Sequence, residues 1–312
     1  MLTTHLITKN NGATIDECLK SLIPLDGEIL VGDRGSTDDT IEICRSHNAR
    51  IIDLKSTDFS DVRNKLVALA NNEWQFYLQP WEVLMSPFNV PLEPMAQNVQ
   101  IINNNILTKE VRLWHRSLGL RFENPIFESI IDKNYGILEK NIIFTKMHEE
   151  DTSEQLEILE QWEKSCPVLA TPHYYRAFVY LSQQKYNEFF NEGNKFLFHC
   201  DNKIPNVMMS YYMSLVRLYV YRDTNSIDTI AHCLAANLLM AEFWCLLGDV
   251  HYKKHQYRKA IALYENAILL GNQRLKSDSW PMDMTKYKKY PQKMIEECRK
   301  MIADTKLLQP MR

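Results

Sequence analysis

Residues 28–40, EILVGDRGSTDDT, constrain the fold of this chain more than any other stretch. The apolar run at 29–31 predicts a buried strand that ends in an acidic, glycine-containing turn, and we expect a helix to begin at once with Ser36 as its N-cap. Such a turn, at the carboxyl end of a parallel strand, is where open α/β sheets bind ligands. Asp33 is placed there to accept hydrogen bonds from a sugar or a base. A nucleotide pocket is one interpretation, and a well-capped turn without a ligand is the other.

The first half of the chain alternates strands with helices. Further strands are predicted at 5–8, 50–54, 74–78 and 142–144, with helices beginning at a Thr14–Glu17 capping box, after the turn, and at Phe59. The third helix runs over 59–71 with Val62, Leu66, Leu69 and Ala70 facing inward. Strands separated by helices of this length form a parallel sheet with right-handed crossovers. We therefore predict a mainly parallel α/β domain over residues 1–150.

Charge and cysteine content bear on the class of protein. The net charge is −3 and the Lys and Arg residues are scattered, which argues against a nucleic-acid-binding surface but leaves a small basic groove open. The seven cysteines include no C-x-x-C pair, which indicates reduced core residues of a cytoplasmic protein. The N-terminus lacks a basic segment followed by an apolar core, and no apolar run approaches about 18 residues. We expect a soluble cytoplasmic chain with no membrane partner.

Four segments resemble, in order and spacing, the nucleotide-sugar domain of family-two glycosyltransferases, which has the Rossmann-like GT-A fold. They are LITKNN at 6–11, ILVGDRGSTDDTIEIC at 29–44, DFSDVRNKLVALA at 58–70 and WQFYLQPWEVL at 74–84. The resemblance implies a nucleotide-sugar donor, usually a UDP-sugar, lying across the strand ends. On the family pattern Thr8, Asn10 and Asp33 contact the uracil and ribose, and Arg63 lines the same pocket.

The chain departs from the family at the metal motif. Family members carry Asp-x-Asp at the end of the fourth strand, because two carboxylates hold the divalent ion that bridges the donor diphosphate. Here the matching residues are Gln79 and Trp81, followed by Glu82. Neither Gln79 nor Trp81 supplies an anionic oxygen. We therefore expect no cofactor, although Mn²⁺ or Mg²⁺ stays open.

The segment 112–129 resembles the Arg-Leu-Phe-Arg and His-Glu stretches of the family. Phe127 replaces the His, and the Glu is kept as Glu128, which the resemblance implies is the general base of an inverting transfer. Without a metal, arginines are expected to neutralise the leaving diphosphate, because a guanidinium matches phosphate oxygens bidentately. The candidates, each with an ordinary surface arginine as the alternative, are Arg34, Arg112, Arg116 and Arg121.

Two connecting segments complete the first domain. Residues 85–105 contain three prolines and many asparagines, and we expect an irregular loop that covers the donor site. His148 follows the last predicted strand, and a polar loop residue is expected there.

Residues 151–312 have helical periodicity and an internal repeat of 35 residues, an interval that indicates stacked helical hairpins. The last copy resembles the tetratricopeptide consensus through Trp244, Leu247, Gly248 and Tyr264. A closing helix is predicted from Pro291. The predicted fold class is a GT-A α/β domain followed by an all-α, tetratricopeptide-like domain.

Two functions follow from this sequence. The first is a glycosyltransferase whose repeats present or select a protein, peptide or glycan acceptor, or build a homodimer. The second is a catalytically degenerate scaffold that binds through its repeats. The retained Asp33, Arg63 and Glu128 favour the enzyme, whereas the lost Asp-x-Asp favours the scaffold.

Overall fold

The computed structural model describes residues 1–130, 136–145, 152–274 and 280–307, with the side chains of 136–142 and 305–307 excepted. The chain divides into two compact units, Met1–Trp162 and Glu163–Arg312. The domain boundary expected after residue 150 stays a prediction. No helix of the described ranges is both long and apolar enough to cross a bilayer.

The first unit is an α/β domain. Its helices are α1 (Gly12–Leu22), α2 (Thr40–Ser46), α3 (Phe59–Leu69) and the greater part of α4 (Thr152–Ser165). Its strands are β1 (Leu2–Thr8), β2 (Glu28–Asp33), β3 (Arg50–Asp53), β4 (Trp74–Tyr77), β5 (Glu82–Leu84), β6 (Ala96–Asn103), β7 (Ile106–His115), β8 (Phe122–Glu123), β9 (Ser129–Ile130) and β10 (Gly136–Thr145).

The main sheet has the order β3-β2-β1-β4-β7-β6-β10-β5. The first four strands in this order are parallel, β7 runs antiparallel to both of its neighbours, and β10 lies parallel to β6. Strands β8 and β9 form a separate antiparallel pair. Because Thr8 pairs with Asp33 in the β1–β2 register, the two residues end their strands at the same edge of the sheet.

Burial explains why these segments form a sheet covered by helices. All seven residues of β1 are buried, as expected for the central strand of a parallel sheet covered on both faces. On α1 the apolar side chains at helical spacing, Ile15, Cys18, Leu19 and Leu22, are all buried. The mainly parallel α/β prediction is confirmed.

Helix starts differ from the predictions because side chains close the preceding turns. Helix α2 begins at Thr40 with Asp39 at the N-cap, whereas Ser36 donates its N–H and O–H to the carboxylate of Asp33. The predicted N-cap at Ser36 is therefore wrong. Helix α1 already begins at Gly12, so Thr14 lies inside the first turn and the predicted capping box is wrong as well.

The prediction of an irregular loop over 85–105 is wrong for its second half. Residues Ala96–Asn103 form β6, with Ala96, Val99 and Ile101 buried. The asparagines and glutamines of this strand occupy its less buried positions. Because these residue types are also common in loops, the strand pattern was not recognised from the sequence. On α3, Leu69 is 41% exposed rather than inward-facing.

The second unit consists of antiparallel helical pairs. The described elements are α5 (Thr171–Ser182), α6 (Tyr186–His199), α7 (Lys203–Tyr219), α8 (Ile227–Ala236), α9 (Ala241–Lys253), α10 (Tyr257–Gly271), β11 (Met282–Asp283) and α11 (Lys289–Leu307). The 35-residue repeat falls on α5, α7 and α9, which confirms the predicted hairpins. The two-residue strand β11 was not predicted, and α11 begins two residues before Pro291.

A buried carboxylate joins α7, α9, α10 and α11. Asp249 is 3% exposed and accepts hydrogen bonds from the hydroxyls of Tyr219, Tyr264 at 2.6 Å and Tyr290 at 2.7 Å. Burial raises the pKa of Asp249, while the three hydroxyls oppose that rise. These donors supply the hydrogen bonds that a buried carboxylate requires.

Candidate functional site

A cleft of about 350 Å³ opens in the first unit at the carboxyl ends of β1 and β4. Its volume and position are those of a small-molecule site on an α/β sheet. The residues that line it are Ile7, Thr8, Lys9, Asn10, Asn11, Arg34, Phe59, Gln79, Trp81, Ile126, Phe127, Glu128, Glu154 and Gln155.

The turn after β1 is held by side chains rather than by a regular helix cap. Thr8 Oγ1 donates to Asn11 Oδ1 at 2.9 Å, and Asn10 has a left-handed backbone with φ 55°. Asparagine tolerates that conformation better than most residues. Asn10 Oδ1 accepts the N–H of Thr37 at 2.7 Å. The turns after β1 and β2 are therefore tied together. Thr8 and Asn10 both line the cleft, and their contact with a nucleotide stays a prediction.

Asp33 lies next to this wall but is not among the described lining residues. Its Oδ1 accepts the N–H of Ser36 at 3.0 Å and the hydroxyl of Ser36 at 2.7 Å. The carboxylate thus closes the turn after β2. A ligand contact by Asp33 would therefore come in addition to its role in closing this turn.

Arg63 occupies a different place from the one the resemblance implied. It is fully buried, is not among the lining residues, and donates from Nη2 to Glu128 Oε1 at 2.9 Å. Its guanidinium also lies 4.7 Å from the centre of the Tyr77 ring. Arg63 thus holds the carboxylate of Glu128 from behind the cleft.

Glu128 is presented to the cleft by a constrained turn. Phe127 has φ 53°, a conformation that is costly for an aromatic residue and that clusters at functional sites. The side chain of Glu128 is only 5% exposed, and within the described residues its Oε2 has no hydrogen-bond partner. The carboxylate therefore has one fixed oxygen and one oxygen available to a ligand.

His5, on the central strand β1, is a fully buried imidazole. Burial lowers the pKa of His5 to about 3, and the charge of Arg63 adds to this effect, although the hydrogen bond with Gln75 opposes it. The imidazole is accordingly neutral, and His5 Nε2 lies 2.6 Å from Gln75 Oε1. His5 supports the sheet rather than the cleft chemistry.

Glu82, the one carboxylate at the position of the metal motif, is buried inside the protein. Both oxygens of Glu82 accept hydrogen bonds from Arg112 at 2.9 Å, and Oε2 also accepts the N–H of Gln79 at 2.7 Å. Burial raises the pKa of Glu82, and the charge of Arg112 opposes that rise. The described residues contain no group of three or more His, Cys, Asp or Glu side chains that would hold a metal. The donor set at this position does not fit the divalent ion of the family.

Three of the arginines expected at the diphosphate lie elsewhere. Arg112 is buried against Glu82, and Arg116 pairs with Glu73 at 2.8 Å beside the amino end of β4. Arg121 is exposed and is not among the described lining residues. They are close in sequence, but β7 runs antiparallel to β4 and so carries Arg116 to the amino end of that strand. Arg112 stays beside Tyr77, near the carboxyl end of β4, with its guanidinium bound to Glu82. His148 lies outside the described residues.

Two charged residues that line the cleft were not predicted from the sequence. Lys9 directly follows Thr8 in the first matched segment, and Glu154 belongs to the first turn of α4. Lys9 Nζ lies 3.2 Å from both oxygens of Glu154, and Arg34 Nη2 lies 2.6 Å from Glu154 Oε1. Lys9 was adjacent to a recognised motif, whereas nothing local to Glu154 indicated its position.

Comparison with known proteins finds one family match within each unit. The model of glycosyl transferase family 2 matches residues 3–78, and the tetratricopeptide repeat model matches residues 241–273. The SPbeta prophage-derived glycosyltransferase SunS of Bacillus subtilis is 36% identical over 80 residues, which are 25% of this chain and 19% of that protein. The chain thus matches about a fifth of the length of this relative.

Two further similarities each cover a larger share of this chain. The TPR repeat-containing protein Synpcc7942_0270 of Synechococcus elongatus is 25% identical over 142 residues, 41% of this chain and 34% of that protein. The structure of MamA from Desulfovibrio magneticus RS-1 has a TM-score of 0.36 at 18% identity, covering 50% of this chain and 85% of that one. The two family models confirm the resemblance to both families.

Proposed function

We propose that the chain is an inverting glycosyltransferase that moves a sugar from a nucleotide donor, a UDP-sugar, to an acceptor without a divalent metal. The observation that carries this proposal is the carboxylate of Glu128, which lines the cleft and is held at Oε1 by Arg63. The family match over residues 3–78 supports the donor class.

In this mechanism the uracil and ribose of the donor lie along Thr8 and Asn10, with Asp33 at the edge of the same wall. Glu128 Oε2 accepts the proton of the acceptor hydroxyl as its oxygen attacks the anomeric carbon from the face opposite the nucleotide. A new bond forms between the acceptor oxygen and the anomeric carbon. The bond from that carbon to the diphosphate breaks, and the nucleoside diphosphate leaves with the electron pair.

In this proposal the helical repeats of the second unit bind the acceptor. Tetratricopeptide-type hairpins stack into extended surfaces that are suited to protein or peptide ligands. A protein, peptide or glycan acceptor is therefore recruited by the second unit, and assembly of a homodimer through the same helices is the alternative.

One observation favours a second candidate, a nucleotide-sugar-fold scaffold without catalysis. Glu82, the remaining carboxylate of the metal motif, is committed to Arg112 and Gln79 inside the protein. A domain that had lost its metal and its chemistry would retain a cleft and its repeats in the same way.

A donor screen separates the two candidates. The full chain is tested by thermal shift against UDP- and GDP-sugars, and each stabilising donor is then incubated with the protein while nucleoside diphosphate release is measured. We expect UDP-sugars to stabilise the protein and to release UDP. Stabilisation without any release would favour the scaffold, and no stabilisation by any of these nucleotide sugars would contradict the glycosyltransferase assignment.

A further inference from the structure

We propose that Lys9 and Arg34 form a diphosphate-binding site in the cleft and that the carboxylate of Glu154 occupies this site when no donor is bound. The inference rests on the proposed function only in taking the diphosphate to belong to a nucleotide sugar. The anion site itself follows from the contacts of the three residues.

The geometry of the three side chains is that of an anion held between two cations. Glu154 Oε1 lies 2.6 Å from Arg34 Nη2 and 3.2 Å from Lys9 Nζ, and Glu154 Oε2 also lies 3.2 Å from Lys9 Nζ. All three residues line the cleft. A phosphate presents the same kind of charged acceptor oxygens to such donors.

Arg34 keeps its direction without the help of Glu154. Its Nε donates to the carbonyl oxygen of Ser56 at 2.8 Å, and its guanidinium stacks 4.0 Å from the centre of the Phe59 ring. The side chain is 5% exposed. Because these contacts come from other parts of the first unit, the Nη2 donor stays aimed into the cleft when the carboxylate leaves.

Glu154 is the exchangeable member of the cluster. Its side chain is 22% exposed and is attached to α4 by a flexible stem, so a rotamer change moves the carboxylate while the helix stays in place. Charge matching also favours the exchange. Two cations facing one carboxylate leave one positive charge, whereas the two cations alone match a diphosphate with one negative charge on each phosphate.

The cleft offers the donor diphosphate few other cations. Of the described residues that line it, Lys9 and Arg34 are the only Lys or Arg side chains. Arg112 and Arg116, which the sequence suggested, are committed to Glu82 and Glu73. The replacement of the metal motif makes such a pair of cations necessary for a leaving nucleoside diphosphate.

Calorimetric titration of the full chain with three probes tests the proposal: inorganic pyrophosphate, UDP and uridine. The decisive variant is Glu154→Gln, with Glu157→Gln, an exposed position on the same helix, as its matched control. We expect E154Q to bind pyrophosphate and UDP about ten- to a hundredfold more tightly than the parent, because an anionic competitor has been removed. Uridine affinity stays at the parental value in both variants.

Replacing Lys9 or Arg34 by an uncharged residue should weaken the binding of UDP and pyrophosphate. Lys9→Met is expected to weaken UDP and pyrophosphate binding about tenfold without changing uridine binding, whereas Lys55→Met, at an exposed position, leaves all three affinities unchanged. Arg34→Gln provides a second test if K9M is poorly folded.

The outcomes separate this inference from the proposed function. Pyrophosphate and UDP affinities that are equal in the parent and E154Q would overturn the site, even if uridine binds. Pyrophosphate binding that follows the predicted order, in a protein that binds neither uridine nor UDP better than pyrophosphate, would support the anion site and contradict the nucleotide donor. The absence of pyrophosphate and UDP binding in E154Q would overturn the inference.

Discussion

The Arg63 guanidinium donates a hydrogen bond to Glu128 Oε1 across 2.9 Å, although 65 positions separate the two residues in the chain. Arg63 is fully buried and the Glu128 side chain is 5% exposed, so the pair lies in a region of low dielectric constant. Removing one member of a buried ion pair leaves the other charge uncompensated. The candidate catalytic carboxylate is therefore also a determinant of stability.

We expect Arg63→Met to lower the free energy of unfolding by about 3–5 kcal/mol, because Glu128 would keep a buried charge without its partner. The double variant R63M/E128Q should recover part of this loss. Urea denaturation of the parent, the two single variants and the double variant gives the coupling energy.

The matched control for this cycle is Arg50→Met. Arg50 pairs with Glu28 at 3.1 Å, but its side chain is 41% exposed, so we expect a cost of about 1 kcal/mol or less. If R63M were no more destabilising than R50M, the ion pair with Glu128 would not hold the turn in place.

Gly248 and Tyr264 define a close contact between α9 and α10. A Cβ added at Gly248 would lie 2.6 Å from a ring carbon of Tyr264, and that ring is held by its hydroxyl on Asp249. We expect Gly248→Ala to lower the free energy of unfolding by about 1–3 kcal/mol through overpacking, measured by chemical denaturation.

Gly193→Ala on α6 is the control for this substitution. There the nearest atoms are the sulfurs of Met209 at 3.1 Å and Met213 at 3.2 Å, in side chains that are able to move. The gain in helix propensity of roughly 1 kcal/mol then offsets the crowding. Equal destabilisation by both alanines would contradict a specific role for the Gly248–Tyr264 contact.

Glu242 is expected to make stability depend on pH. Burial raises its pKa from 4.5 to about 7, although Arg274 and the hydroxyl of Tyr287 oppose the rise. Between these two values the folded chain holds a proton that the unfolded chain has released, so the stability contributed by this group falls as pH rises from about 5 to 7. Thermal denaturation of Glu242→Gln across this range should show a weaker decline than the parent.

Titration of one proton changes the free energy of unfolding by at most about 1.4 kcal/mol per pH unit. Because other groups also titrate, the quantity to compare is the difference between variant and parent at each pH. Glu188→Gln, on an exposed position of α6, should follow the parental curve. A difference between E242Q and the parent that stayed constant over this range would argue against the raised pKa.

UDP binding should be independent of divalent ions. The oxygens of Glu82 are bound by Arg112 and the N–H of Gln79, and neither Gln79 nor Trp81 offers a carboxylate. We expect the same UDP affinity by calorimetry in EDTA, in Mg²⁺ and in Mn²⁺. Binding that disappears in EDTA and returns with Mn²⁺ would contradict this prediction.

Local sequence patterns were sufficient to predict the parallel strands and some of the residues that line the cleft. Continuous apolar runs identify buried parallel strands, and the motif positions of Thr8, Asn10 and Glu128 correspond to residues that line the cleft. Patterns of this kind record neighbours along the chain. The partner of Glu128 and the partner of Lys9 are 65 and 145 positions away, so only the folded sheet identifies them.

Glu128→Gln is the direct test of catalysis. Glutamine keeps an oxygen that accepts the Arg63 hydrogen bond but does not accept a proton from the acceptor. We therefore expect the donor site to stay formed while the base is lost, with some loss of stability because Arg63 no longer has its counter-charge. We expect turnover to fall about 10²–10⁴-fold, measured as nucleoside diphosphate release in the presence of acceptor, with donor affinity near the parental value. Glu123→Gln, at an exposed position of β8, should leave turnover unchanged. Normal turnover in E128Q would place the base elsewhere, and a parent that binds a donor but never turns it over would favour the scaffold.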